Sequence, residues 1–441
     1  MNLNEVLLHR KDLRVMEFEV LKRSRVKRNI IIGVFVVFII SAIILNFTSA
    51  KYRVSDSVPI INSEINYKVP DLNMVSLYIA NEEGTYTEAD IIPTSGYTLN
   101  TEQSYCGQSN NGEIVKDDTA SIVYENGLIN VNGISKKGTK CYLYFNEKTI
   151  LAVDTILAGK DIQTRNDFST LATNTTTGVI YETLDWKGTS YYFAGNPTDN
   201  WVYFGGFYWR IVRVNGDGSV RLIYNGIDTV NTGTGTMINN GEEIAFNSSY
   251  NRSEYVGLKY TIGQQHGQTT DSTILNALQS WYVSSNLDDY VQYIDTNIGF
   301  CSDRNTRNNG VWSSTGVTVY YAAFGRLGNN KSPSLACSSN DIIFEPVGLI
   351  TADEVAFAGG ASGNQNQKYF LYNMQAYWAM SPSDITSSYN HADVFLVDSN
   401  GNLVWGSVNA PRGVRPVINL KSDVRIEGSG TASDPYTVVG A

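Results

Sequence analysis

Residues 30–47 form an apolar run, Ile30 to Leu45 followed by Asn46 and Phe47, directly after a basic segment. At 1.5 Å per residue, such a run nearly matches a hydrocarbon core of about 30 Å, so the expectation is one transmembrane helix over residues 29–50. The preceding residues 1–28 hold Arg10, Lys11, Arg14, Lys22, Arg23, Arg25, Lys27 and Arg28 against Glu5, Asp12, Glu17 and Glu19. Because Lys and Arg stay cytoplasmic, this predicts an N-terminus inside the cell, a lipid bilayer partner for residues 30–47, and an exported body from about residue 51. The alternative is a cleaved signal peptide ending at Thr48-Ser49-Ala50. The lengths of the run and of the segment before it favour the anchor.

The basic tail is net +4 within a chain of net −10, so everything after it carries −14. An acidic body of that kind is a poor partner for nucleic acid or anionic lipid. The tail also has helical spacing, with Leu3, Val6, Leu7, Leu13, Met16 and Val20, which allows a contact with a cytosolic partner or with the inner membrane surface.

All four cysteines lie beyond the apolar run, with Cys106 and Cys141 35 apart and Cys301 and Cys337 36 apart. Four cysteines allow three pairings, and reduced thiols are a further alternative. Pairing in sequence order, Cys106 with Cys141 and Cys301 with Cys337, places one bridge in each of two domains.

After a tether at 51–65, residues 66–148 alternate in short stretches such as Ser121-Ile-Val-Tyr-Glu125 and Cys141-Tyr-Leu-Tyr-Phe145, punctuated by Asn126-Gly127 and Asn132-Gly133. That pattern predicts a small β-sandwich acting as a spacer. Residues 149–177 read as a short connecting helix ended by Gly159 and then a Thr/Asn-rich loop. Residues 178–440 form the long remaining segment, with further turn signals at Asn215-Gly216, Asn225-Gly226, Asn240-Gly241 and Asn400-Gly401. One helix is expected there, from Asp271 to about Ser284, with Ile274, Leu275, Leu278 and Trp281 on one side and Asp271 or Ser272 as cap. The predicted class is mainly β with a few helices.

Four blocks in this last segment occur in order. They are Val202-Tyr-Phe-Gly-Gly-Phe-Tyr-Trp-Arg-Ile-Val-Arg-Val214 with Val220-Arg-Leu-Ile-Tyr224; Leu275 to Tyr282; Val347-Gly-Leu-Ile-Thr-Ala-Asp-Glu-Val355; and Tyr377-Trp-Ala-Met-Ser-Pro382 leading to Gly413-Val-Arg-Pro-Val-Ile-Asn-Leu420. Together they resemble an uncharacterised bacterial cell-surface domain of the C-type-lectin-like and formylglycine-generating-enzyme-like fold, over about residues 180–425. The resemblance implies a lectin-like head whose ligand face is built between Ser383 and Arg412. Asp384, Tyr389, Asn390, His391, Asp393, Asn402 and Trp405 are the candidates there, since aromatic faces beside amides and carboxylates suit sugars or protein loops. The structural alternative is a plain hairpin, Val394–Val397 and Leu403–Trp405 joined at Asn400-Gly401. The enzymes of that fold use a cysteine pair near the C-terminal end, and here no cysteine follows Cys337.

Chemistry-bearing motifs are few. The histidines are His9, His266 and His391, and no His-Glu-x-x-His, Cys-x-x-Cys, Gly-x-Ser-x-Gly or phosphate-binding Gly-Lys-Ser/Thr occurs. Gly233-Thr-Gly235 lacks the third glycine of a dinucleotide loop. Asp398-Ser-Asn-Gly-Asn402 starts like a calcium loop, but Leu403 and Asn409 stand where Gly and Glu are needed, so a type I′ turn is expected instead. No cofactor is expected, although scattered carboxylates and carbonyls can hold a structural calcium. For hydrolysis, Asp288-Asp289, Asp353-Glu354 and Asp393 are carboxylates of the right type. The expected function is a membrane-anchored binding or adhesion protein recognising glycan or protein through its head. An exported hydrolase of cell-wall or host glycans, or a structural envelope component, are the alternatives.

Overall fold

A computed structural model describes residues 75–441 apart from 82–83, 94–95, 111–112, 126–127, 135–137 and 389. The chain divides into two compact units between Thr149 and Ile150. The expected basic tail, transmembrane helix and tether all lie outside the described residues, as do Asn126-Gly127 and Tyr389.

The expectation of a transmembrane helix in a single-pass, N-inside membrane protein is corrected here. Among the described residues no helix is long and apolar enough to cross a membrane. The longest of them has 12 residues, a rise of about 18 Å against a core of about 30 Å.

The first unit contains β1 (Val75–Ala80), β2 (Tyr86–Ala89), β3 (Tyr97–Leu99), β4 (Tyr105–Asn110), β5 (Glu113–Lys116), β6 (Ser121–Glu125), β7 (Leu128–Asn132) and β8 (Lys140–Glu147). The central strand β8 alternates strictly, with Cys141, Leu143 and Phe145 buried and Tyr142 and Tyr144 on the other face. It pairs parallel with β1 and antiparallel with β3 and β4. The expected sandwich of two sheets is therefore not the arrangement: one six-stranded mixed sheet is covered by the hairpin β6–β7, whose Ile129 and Val131 close the core. The Cys106–Cys141 bridge joins directly opposed residues of β4 and β8 within that one sheet.

The second unit begins with helix α1 (Ala152–Leu157), after which Gly159 takes φ 68°. Its strands are β9 (Asp161–Thr164), β10 (Val179–Leu184), β11 (Thr189–Tyr192), β12 (Trp201–Phe204), β13 (Phe207–Val214), β14 (Val220–Gly226), β15 (Ile244–Ala245), β16 (Lys259–Tyr260), β17 (Thr270–Asp271), β18 (Phe300–Cys301), β19 (Val319–Tyr320), β20 (Ile342–Ile343), β21 (Tyr377–Ile385), β22 (Ala392–Val397), β23 (Leu403–Ser407), β24 (Pro411–Arg412), β25 (Val417–Leu420), β26 (Ile426–Glu427) and β27 (Tyr436–Val438). A nine-stranded sheet is built around β13, which pairs with β11, β12 and β14. A four-stranded sheet runs β19-β21-β22-β23. Helix α2 (Thr273–Ser284) starts where Ser272 Oγ accepts from Leu275 N and buries Ile274, Leu275, Leu278, Trp281 and Tyr282 in the main core. Helix α3 (Ala352–Ala358) is wholly buried. The Cys301–Cys337 bridge lies in this unit, with Cα atoms 5.9 Å apart.

Turn chemistry differs from expectation in one respect. Of Asn400 and Gly401 only Gly401 has positive φ, 75°, and Gly401 N donates to Asp398 O. Loop 398–402 is therefore a type I turn followed by a left-handed glycine, not a type I′ turn. Loop 215–219 repeats the pattern, with Gly218 rather than Gly216 at positive φ.

Candidate functional site

The most charged interior region surrounds the start of α3. Thr351 caps this helix and Glu354 returns the bond, its Oε2 accepting from Thr351 N at 2.9 Å. Glu354 Oε1 accepts from Arg213 Nε at 2.9 Å and Arg221 Nη1 at 2.7 Å. Those arginines are directly opposed on β13 and β14, so one carboxylate separates two like charges. Burial opposes ionisation of Glu354, but Arg221 and Arg213 hold its carboxyl down at about 2. Arg213 also bonds Asp185, and Arg326 spans Asp303 and Asp353. The small adjoining cleft, lined by Trp186, Arg213, Arg221, Asp303, Arg326, Asp353 and Glu354, thus has acids and bases paired with one another. That network is structural: it ties α3 to two strands. The acidic pair Asp353-Glu354 belongs to it, whereas Asp288 and Asp289 are exposed on the turn Leu287–Tyr290.

The blocks that carried the family resemblance supply core rather than ligand contacts. Trp209 is buried, with its indole N–H donating to Phe204 O. Arg210 packs over Trp201 and bonds Asn200. Arg415 donates to the carbonyls of Tyr224 and Leu371 beneath Tyr377.

A different arrangement occupies the four-stranded sheet. Tyr320 of β19 opposes Asp384 of β21, Asp384 opposes Asp393 of β22, and Asp393 opposes Ser407 of β23. Directly opposed residues project to one face, so the four form a transverse row. One step along, Phe395 opposes Trp405 on that same face, two residues or about 7 Å away. Phe324, at the start of a π-helical turn Phe324–Asn330, packs against both Tyr320 and Trp405, with ring centroids 5.0 and 5.2 Å away. Phe324 and Trp405 meet at 71°, which makes a corner rather than a flat platform. Trp405 remains 40% exposed and Tyr320 39%.

The two carboxylates of the row are almost wholly buried, Asp384 at 4% exposure and Asp393 at 7%. Ser383 Oγ donates to Asp384 Oδ2 at 2.8 Å, and His391 Nδ1 lies 2.8 Å from Asp393 Oδ1. No lysine or arginine among the described residues pairs with either carboxylate. Burial, reinforced by the charge of Asp393, raises Asp384 to about 6 against the pull of Ser383 and His391. Burial likewise raises Asp393, with His391 opposing. Pro382 lies within β21 two residues before Asp384, beside a register shift where a residue without an N–H is tolerated.

Of the residues expected from sequence, Asp384, His391, Asp393 and Trp405 come together. Asn390 is exposed beside them at φ 49°, and Tyr389 lies outside the described residues. Asn402 does not join the group: it sits in the turn at the far end of β22 and β23, its amide oxygen accepting from Gly363 N. Asp398, the first residue of the calcium-like pentapeptide, accepts from Asn400 N and Asn402 N and serves that same turn. Among the described residues no group of three or more acidic, cysteine or histidine side chains is arranged to hold a metal. Sequence reasoning missed Tyr320 and Phe324, which lie far upstream of Ser383. The one signal for them is the aromatic spacing of Tyr320-Tyr321-Ala-Ala-Phe324, and it names no partner strand. Compared with family models, with curated proteins and with solved structures, the chain finds no match in any of the three.

Proposed function

We propose that the second unit is a binding head and that its ligand face is the part of the four-stranded sheet bearing Tyr320, Phe324, Trp405, Asp384, Asp393 and His391. The ligand is a glycan or a protein. The observation that carries this reading is the placement of exposed aromatic rings one step from two buried carboxylates that no lysine or arginine of the described residues neutralises. Keeping buried acids unneutralised costs stability, and such a cost is repaid at sites that bind something. The ordered blocks that resemble a lectin-like surface domain point to the same stretch, between Ser383 and Arg412.

Hydrolysis is the weaker reading. A glycosidase needs its two carboxylates on either side of the scissile bond, about 5–9 Å apart. Asp384 and Asp393 instead project side by side from neighbouring strands of one sheet, which leaves no place between them for a substrate bond. The test is an array of glycans and proteins probed with the full chain and with Trp405→Ala. Hits that the substitution removes support this face; hits that survive it place the ligand elsewhere.

A further inference from the structure

We propose that the occupant of this face is a basic side chain, lysine or arginine, presented by a protein partner, with its cation in the corner between Phe324 and Trp405 and paired with Asp384 and Asp393. This rests on the reading of that face as the ligand site. Three features converge on a cation. Asp384 is 96% buried, the complement of its 4% exposure, and its second oxygen accepts from no group of the described residues. The aromatic row lies about 7 Å from the carboxylate row, which one ammonium spans by hydrogen bonding on one side and facing a ring within about 6 Å on the other. The chain beyond residue 28 is net −14, which favours approach of a basic partner.

The ring geometry favours a side chain over a sugar. Successive pyranoses stack on exposed, roughly coplanar rings, whereas here Phe324 and Trp405 stand at 71° and Tyr320 is tilted 35° from Phe324. Two walls near a right angle enclose a compact cation on a slender stem. The groups facing Asp384 are Tyr320 from β19, Ser383 beside it, and Asp393 with His391 from β22 and its approach; none supplies a permanent positive charge.

Calorimetric titration of the full chain at about pH 7.5 and low salt tests this with three probes: hexalysine, the same peptide with every side-chain amine acetylated, and a neutral β-glucan hexasaccharide. The expected result is binding of hexalysine, at least about tenfold weaker binding of the acetylated peptide, and about tenfold losses for Trp405→Ala and Asp384→Asn. The double variant Asp288→Asn/Asp289→Asn removes two exposed charges elsewhere and is expected to leave hexalysine affinity unchanged. Circular dichroism confirms that each variant folds. If acetylation has no effect, if hexalysine does not bind, or if the Asp288/Asp289 variant loses as much as Asp384→Asn, the inference is overturned. Trp405-dependent binding of the neutral sugar without hexalysine binding would overturn the cation while leaving the face as ligand site. Hexalysine binding indifferent to Trp405→Ala would overturn both.

Discussion

At the residue scale, Asp384 is the side chain whose chemistry most departs from its surroundings. Its carboxyl is held at about 6 rather than 3.8, so the folded chain binds this proton more tightly than the unfolded chain does. The stabilisation from that proton is therefore complete below about 3.8 and is lost as pH rises through about 6, roughly 3 kcal/mol in all. Asp384→Asn keeps the shape and removes the charge. It is expected to melt a few degrees above the parent at pH 7.5, with the advantage gone by pH 4, as thermal denaturation at the two pH values would show. A variant that gains stability while losing its ligand is the behaviour of a binding residue, not of a structural one. An unchanged melting temperature at pH 7.5 would mean that the carboxylate is not destabilising where it stands.

At the scale of elements, α3 is secured by Glu354, which closes the capping box and neutralises Arg213 and Arg221 together. Glu354→Gln leaves two buried guanidinium groups facing one neutral amide, and a loss of about 3–5 kcal/mol is expected from urea denaturation of the second unit. Because the Glu354 carboxyl is held at about 2, below its ordinary 4.5, its contribution is present above about 4.5 and disappears as pH falls through 2. The β22–β23 hairpin depends on a single backbone conformation. At Gly401, φ is 75° and an added Cβ would stand 1.9 Å from Asn366 O. Gly401→Ala is expected to cost more than about 1 kcal/mol and to weaken the face by loosening the strands that carry Asp393 and Trp405. Equal stability and affinity in that variant would show that the hairpin's register is set elsewhere.

At the scale of the molecule, the two units each hold one disulfide, and the Cys106–Cys141 bridge closes a separation of 35 residues within the first. Cys106→Ser/Cys141→Ser is expected to lower the first unit's stability by about 3–4 kcal/mol and to leave the second unit's calorimetric transition in place. A joint shift of both transitions would contradict separate cores. Local periodicity and capping were legible in the sequence, as in the α2 stripe of Ile274, Leu275, Leu278 and Trp281 behind Ser272, and in the strand alternation of Cys141 to Phe145, because these depend on neighbours in the chain. The arrangement of the first unit was not, since alternation marks which face of β8 is buried but not whether a hairpin or a second sheet covers it. The membrane-crossing helix was inferred from length and hydropathy alone, and among the described residues no helix meets that requirement. For the candidate site, the sequence by itself determined the residue types of one segment, Asp384, His391, Asp393 and Trp405. Only the tertiary structure decided that Asn402 lies at the wrong end of the hairpin and that Tyr320 and Phe324 complete the face. The physical reason is that a site on a sheet is defined across strands, by register between segments far apart in the chain, and register is set by packing rather than by any one segment's composition.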